Sequence, residues 1–180
     1  MKKILVTGGA GFIGSHTCIK LVEAGYKIIT LDSYVNSSKV VFEKLSEICN
    51  YYKLNNNLIE VVEGDIRDEK QLETIFRNEN DKKNSIQAVV HFAGLKAVKD
   101  SCLNPIEYWD VNVRGSLNLL SVMQRFNCKK LVFSSSATIY GNSEELPMTE
   151  LCPIKPMNPY GNTKATIENF LADIHKSSPN

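Results

Sequence analysis

The chain has 180 residues, 43% of them hydrophobic and 23% charged; that is enough apolar material for a packed core and too much for a disordered chain. Lys plus Arg number 21 and Asp plus Glu 20, a formal net charge of +1, so charge gives no reason to expect nucleic acid or an anionic membrane as partner. No apolar run approaches the ~20 residues that a membrane span requires, and Met1-Lys2-Lys3-Ile4-Leu5-Val6-Thr7 is too short an apolar start for a signal peptide, so a soluble, cytoplasmic, uncleaved chain is expected.

Lys3–Thr7 reads as a buried strand bounded by glycines. Phe12 to Ala24 has Ile13, Cys18, Leu21 and Val22 at helical spacing and closes on Gly25. Lys27–Leu31 is a second strand, Val40 to about Tyr52 a helix, and Leu58–Val62 a third strand. Asp68 to Arg77 is helical, with Leu72, Ile75 and Phe76 on one face, and Arg77–Ser85 reads as a polar surface loop, as does Asn55-Asn56-Asn57. Ile86–Phe92 is a fourth strand, Val111 to Phe126 a long helix, and Leu131–Ser134 a fifth strand. Asn158 as N-cap, followed by Pro159, starts a last helix reaching about His175.

The strands are continuously apolar rather than alternating, as in a parallel sheet covered on both faces. The expectation is therefore an α/β fold, a doubly wound parallel sheet of Rossmann type in the spatial order 3-2-1-4-5. Two complete mononucleotide halves would place a sixth strand after the last helix; only five residues follow His175. That predicts a single incomplete dinucleotide-binding domain over 1–180, a truncated protein or a fragment.

Cys18, Cys49, Cys102, Cys128 and Cys152 are odd in number and scattered, without a C-x-x-C pair. Reduced thiols are expected, with neither a disulfide framework nor a zinc site. His16, His91 and His175 are not spaced for a metal.

Glycines at 8, 11 and 14 lie between the first strand and the first helix. Gly8 permits a tight turn, Gly11 lets backbone approach a pyrophosphate, and Gly14 allows close helix–strand packing. The helix start then offers free N–H donors to phosphates. A tight strand–helix turn alone can want the same glycines. Asp32, closing the second strand, is placed to accept from adenosine ribose hydroxyls, although it also suits a turn. No Arg or Lys lies between Asp32 and Ser38, which favours NAD over NADP.

Tyr160-Gly161-Asn162-Thr163-Lys164 puts Tyr and Lys at i and i+4 on one helix face. An ammonium one turn away favours a phenolate, and so suits a tyrosine to general-base work. Such a pair is often only a helix surface. Here it accompanies Ser134-Ser135-Ser136-Ala137-Thr138 at the carboxyl end of the fifth strand, and ligands of open α/β sheets bind at carboxyl strand ends. Gly8–Gly14 and Phe92-Ala93-Gly94-Leu95-Lys96 also follow strands, so one crevice is expected for them and for Ser134–Thr138.

These motifs together resemble the extended short-chain dehydrogenase/reductase family, and within it the UDP-glucose 4-epimerases. The resemblance spans nearly all 180 residues. It rests on Gly14-Ser15-His16-Thr17, Glu63-Gly64-Asp65-Ile66-Arg67, His91 through Val98, Asn112-Val113-x-Gly115 and Phe133 through Gly141. It implies an NAD-dependent enzyme interconverting UDP-galactose and UDP-glucose through a 4-keto sugar, with Tyr160 as general base, Ser136 activating the sugar hydroxyl and Lys164 on the nicotinamide ribose. It further implies that Gly8, Gly11, Phe12, Ile13 and Gly14, with Asp32, Asn36, Ser37, Asp65 and Ile66 at the adenosine end, bind NAD. Phe92, Ala93, Gly94, Lys96 and Asn112 complete that set, and Lys96, Ser136, Ala137, Thr138 and Tyr160 would meet the UDP-hexose. A homodimer is implied for the complete enzyme. In the family a carboxyl-terminal half supplies most of the uridine pocket, so these residues alone are expected to bind NAD weakly and to turn over no nucleotide sugar.

Two alternatives stand beside this reading. A nucleotide-sugar 4,6-dehydratase would carry Asp-Glu after the serine or threonine at the end of strand five; here Ala137-Thr138 follows Ser136 and the next carboxylate is Glu144. A non-catalytic NAD-binding remnant would have no need of Ser136, Tyr160 and Lys164.

Overall fold

The computed structural model describes residues 2–81, 85–143 and 146–177. Strands β1 (Lys3–Thr7), β2 (Lys27–Asp32), β3 (Ile59–Glu63), β4 (Ile86–His91) and β5 (Leu131–Phe133) form one sheet in the order β3-β2-β1-β4-β5. Every pairing is parallel. The expected topology is therefore the observed one.

Side chains alternate across the sheet, and each face buries its share. Leu5, Ile29, Leu31 and Val89 pack with Leu72 and Phe76 of α3 (Glu69–Asp81) and with Leu119 and Val122 of Gly115–Arg125. Ile4, Val6, Ile28 and Val90 pack with Cys18 and Val22 of α1 (Phe12–Glu23) and with Leu45 and Cys49 of α2 (Val40–Tyr51). Each such side chain, fully buried, contributes roughly 1.5–3 kcal/mol. Helices on both faces are why the strands read as unbroken apolar runs.

Several elements differ from expectation for local reasons. Asn55 accepts from the Asn57 backbone N–H at 3.1 Å and closes a 3₁₀ turn over Asn56–Leu58, so β3 starts at Ile59 rather than Leu58. Asp68 caps α3 instead of belonging to it: its Oδ1 accepts from Gln71 N at 3.0 Å. The surface loop expected from Arg77 instead continues α3 to Asp81. Glu79 is the reason, being 2% exposed and ion-paired with Lys3, itself 1% exposed. Residues 82–84 of that expected loop lie outside the described residues, as do Glu144 and the tail beyond Ser177.

The chain divides into two compact units. The first, Met1–Ala93 with Leu117–Ser134, holds the sheet and both core clusters. The second comprises Gly94–Ser116 and Ser135–Asn180. It contains two short helices that sequence periodicity did not indicate, α4 (Val98–Leu103) and α5 (Pro105–Tyr108). The long helix expected over Val111–Phe126 opens as a π-helical turn, Trp109–Arg114, and becomes α-helical only in α6 (Gly115–Arg125). A 3₁₀ turn, Ala137–Tyr140, and the helix α7 (Pro159–Ser177) complete the second unit. Asn158 caps α7 as expected, its Oδ1 accepting from Gly161 N at 2.8 Å. Among the described residues no helix is long and apolar enough to cross a membrane, and no group of three or more His, Cys, Asp or Glu could hold a metal ion.

Candidate functional site

In the first unit β1 ends at Thr7, and the chain turns through Gly8 at φ +73°. A Cβ at Gly8 would stand 2.6 Å from the backbone nitrogen of Ala93, and one at Gly14 would collide with the Gly8 carbonyl oxygen. The glycine spacing thus permits both the turn and the close return of α1, as expected. Gly11 is the N-cap residue of α1; it supplies no side-chain cap, and the first turn carries no acidic residue. The leading N–H groups are therefore open to an anion, and the positive end of the helix dipole lies with them. Phe12 and Ile13, the first residues of that helix, are exposed.

Asp32 at the end of β2 is 7% exposed. Its Oδ2 accepts from Ala10 N at 2.9 Å, and its Oδ1 accepts from Tyr34 N at 3.0 Å and Ser37 Oγ at 2.8 Å. One carboxylate thereby joins the glycine turn to the 33–37 loop, and three donors fix its orientation. Asn36 is exposed beside it. Asp65 is gripped by Arg67, whose Nε donates at 3.0 Å to both carboxylate oxygens and whose guanidinium NH2 group reaches Oδ2 at 2.6 Å. Ile66 is buried in the core cluster, so its side chain is committed there. Phe92 and Ala93 are half-buried against the two clusters.

The second unit holds the other expected residues. Tyr160 is 8% exposed and Lys164 5%, with the Lys164 Nζ 6.0 Å from the Tyr160 ring centroid. This pair is not a helix surface. Burial pushes the Lys164 amine down to about 8, so it titrates much nearer neutrality than a solvated lysine does. Tyr108 packs edge-on to Tyr160 with centroids 6.5 Å apart, and its hydroxyl donates to the Ala97 carbonyl at 2.8 Å.

Ser136 sits in extended conformation at the head of the 3₁₀ turn. Its Oγ accepts from Thr138 N at 3.2 Å and from Thr138 Oγ1 at 2.9 Å. With both lone pairs occupied, its remaining capacity is to donate its own proton. A Cβ at Gly161 would lie 2.8 Å from the Thr138 carbonyl oxygen, so only glycine lets the turn bearing Ser136 approach α7 this closely. Ala137 and Lys96 are exposed, Gly94 half-buried.

Asn112, expected among the cofactor contacts, is spent inside the unit. Its Oδ1 accepts from Leu95 N at 2.8 Å, while Nδ2 donates to Leu95 O at 3.0 Å and to Thr163 Oγ1 at 3.1 Å. Thr163 in turn donates to the Tyr160 carbonyl at 2.7 Å. Thr163, Tyr108 and Arg67 were not singled out from sequence. Thr163 lies inside the Tyr-x-x-x-Lys stretch and Arg67 closes the Glu63–Arg67 motif, two residues after Asp65, so both could have been; nothing local marks Tyr108.

A parallel sheet wound on both faces by helices, with a glycine turn feeding an uncapped helix and an acid closing the next strand, defines a Rossmann-type fold. Residues 5–179 match the family model described as GDP-mannose 4,6 dehydratase, and the chain belongs to that family. It is 44% identical over 180 residues to UDP-glucose 4-epimerase 1 of Oryza sativa subsp. japonica, covering all of this chain and 49% of that protein. Of solved structures, the Bifidobacterium longum UDP-glucose 4-epimerase in complex with NAD+ and UDP superposes with a TM-score of 0.87 at 45% identity, over 99% of this chain and 50% of that one. The Stenotrophomonas maltophila UDP-glucose 4-epimerase with bound NAD and formylated UDP-arabinopyranose gives 0.88 at 39% identity, over 98% and 49%. The chain spans about half the length of the relatives it matches.

Proposed function

We propose that this chain carries the NAD-binding and proton-transfer residues of a UDP-glucose 4-epimerase, an enzyme interconverting UDP-galactose and UDP-glucose. The observation that carries the reading is the buried Tyr160–Lys164 pair one turn apart on α7. In the first unit, the open N–H groups of α1 would take the pyrophosphate, and the Asp32 carboxylate the adenosine ribose hydroxyls. Asn36, Ser37, Asp65 and the backbone at Ile66 would surround the adenosine end, and Phe92, Ala93, Gly94 and Lys96 would line the rest. Asn112 would act through Leu95 and Thr163.

When bound, NAD supplies a reversible two-electron acceptor for the hydride of the sugar C4. Tyr160 takes the proton of the sugar 4-hydroxyl, leaving a 4-keto sugar, and later returns that proton to the oxygen. Ser136 has only its proton left to give, and so donates to the same sugar oxygen. Lys164 brings the positive charge that holds the cofactor ribose. Inversion follows when the keto sugar turns its opposite face before reduction.

The alternative within the family is elimination of water, as its description implies. Elimination needs an additional acid–base pair, and Ala137 and Thr138 stand where that pair would follow Ser136. This favours epimerisation. A UDP-hexose is the small-molecule partner proposed, with a homodimer as assembly and the cytoplasm as location.

The test uses a complete chain, including the region its relatives carry beyond this span. Tyr160→Phe should lower conversion of UDP-galactose to UDP-glucose by at least about a hundredfold, the lower range for a lost general base, with NAD binding nearly intact. Undiminished turnover would place the base elsewhere. A product lighter by one water would establish the dehydratase reading instead.

A further inference from the structure

The preference for a ribose 2′-hydroxyl over a 2′-phosphate does not follow from Asp32 alone. Between Lys27 and Lys44 the chain has one cation, Lys39, and it follows directly on the loop that Asp32 organises. A free ammonium at that place is what a 2′-phosphate needs. The ammonium is not free. Lys39 Nζ donates to Glu63 Oε2 at 2.5 Å, and Glu63 ends β3 in register with Asp32 at the end of β2.

The connecting loop is shaped to make that pair. Asp32 Oδ1 accepts from both Tyr34 N and Ser37 Oγ, and Tyr34 takes a left-handed φ of 57°. A tyrosine rarely adopts that conformation unless its surroundings impose it. The Tyr34 ring lies edge-on to Phe42 with centroids 6.4 Å apart, and the Lys39 ammonium stands 5.4 Å from the Tyr34 ring centroid. Burial first of all raises the titration of the Tyr34 hydroxyl; Asp32 and Glu63 raise it further and Lys39 lowers it, so all three charges act on the same group. The four groups thus share one electrostatic neighbourhood, which carries two negative charges and one positive.

We infer that Glu63 is a specificity-determining residue for the cofactor: it engages Lys39 beside the ribose-recognising carboxylate and leaves no unpaired cation there for a 2′-phosphate. The inference rests on the reading of Asp32 as the ribose contact. Removing the charge of Glu63 changes the local sum from −1 to zero and releases Lys39. A 2′-phosphate gains from both changes, and a ribose hydroxyl gains little from either. Both partners are exposed, at 65% and 60%, so the effect should have the size of a surface charge pair and weaken with salt.

The test is calorimetric titration of the unaltered chain, Glu63→Gln, and Glu63→Gln with Lys39→Met, each with NAD and with NADP. Glu63→Gln should raise the NADP-to-NAD affinity ratio by about fivefold at low salt, the upper range for an exposed charge pair. Adding Lys39→Met should return the ratio toward its starting value. An unchanged ratio in Glu63→Gln, with folding verified by its melting curve, overturns the inference. So does a gain that survives loss of Lys39. Failure of the underlying reading looks different: the unaltered chain would then show no preference for NAD, and Asp32→Ala would change neither affinity.

Discussion

Two helix starts in this molecule, that of α1 after the glycine turn and that of α7 before Tyr160 and Lys164, are built in opposite ways. At α1 the N-cap is Gly11, with no side-chain hydrogen bond and no acidic residue in the first turn. At α7 the N-cap is Asn158, whose side chain accepts from Gly161 N, and Pro159 occupies the first position, where no donor is needed. The open start leaves backbone donors for a ligand. The closed start satisfies its own donors and serves as a mount for Tyr160 and Lys164. The same difference runs through their surroundings. Around α1 the polar groups meet at one carboxylate, Asp32, whereas near α7 Asn112, Thr163 and Tyr108 hydrogen-bond to Leu95, Tyr160 and Ala97. A backbone site needs little but shape, and a side-chain site needs a frame.

If that contrast holds, the backbone site should depend above all on the rigidity of the sheet that presents it. The largest effect expected is at the Lys3–Glu79 pair, where both side chains are all but fully buried. Removing one partner strands a charge in the core, which costs about 3–5 kcal/mol. Glu79→Gln should therefore lower the denaturation midpoint sharply. Lys3→Met with Glu79→Leu should recover much of the loss, because the stranded charge is then gone. Equal losses in the single and double variants would mean that the pair acts through packing alone.

A second prediction bears on the closed start. The folded-state value of Lys164 is lowered from 10.5 to about 8 by burial, so between pH 8 and 10.5 the unfolded chain binds more protons than the folded one. Stability should rise across that window. The burial penalty is present in full below it and absent above it, and is of the order of 3 kcal/mol. Lys164→Met should abolish that part of the slope in denaturation curves taken across the window. A slope unaltered by the substitution would assign it to other groups.

Much of this was legible in the sequence, and the parts that were not share a cause. Unbroken apolar strands and glycines 8, 11 and 14 announced a parallel sheet and its turn because each requirement is local. Asp32 and the Tyr160–Lys164 spacing were legible for the same reason. Glu79 read as solvent-exposed because its partner lies at the other end of the first unit's sequence. Lys39 falls one residue past the window that argued for NAD, and its pairing with Glu63 depends on the register of β2 and β3. That the Ile66 side chain packs in the core was not legible in its motif, because that core exists only in the folded chain. The π turn at Trp109–Arg114 escaped because its apolar spacing passes for an ordinary helix; such turns often mark functional positions.

That turn supplies the finest test of the contrast. Asn112 sits within it and holds both backbone groups of Leu95 as well as the Thr163 hydroxyl. If it is part of the frame for Tyr160 rather than a cofactor contact, Asn112→Ala should behave as a loss of internal hydrogen bonds. Leaving those buried partners unmet costs about 1–3 kcal/mol. Hydrogen exchange should quicken in residues 160–165 and not in residues 11–15, since Thr163 would lose its tie to the π turn while the start of α1 is capped by Gly11 without a side chain. Affinity for ADP, which probes only the adenosine and pyrophosphate end, should stay within about twofold, well below the ~1.4 kcal/mol that a tenfold change represents. Asn112→Asp is the sharper variant: it keeps the acceptor for Leu95 N and loses the donors to Leu95 O and Thr163, so it should quicken exchange in α7 nearly as much as alanine does. A fall in ADP affinity matching the change in α7 would make Asn112 a contact after all, and would erase the distinction between an open backbone site and a framed side-chain one.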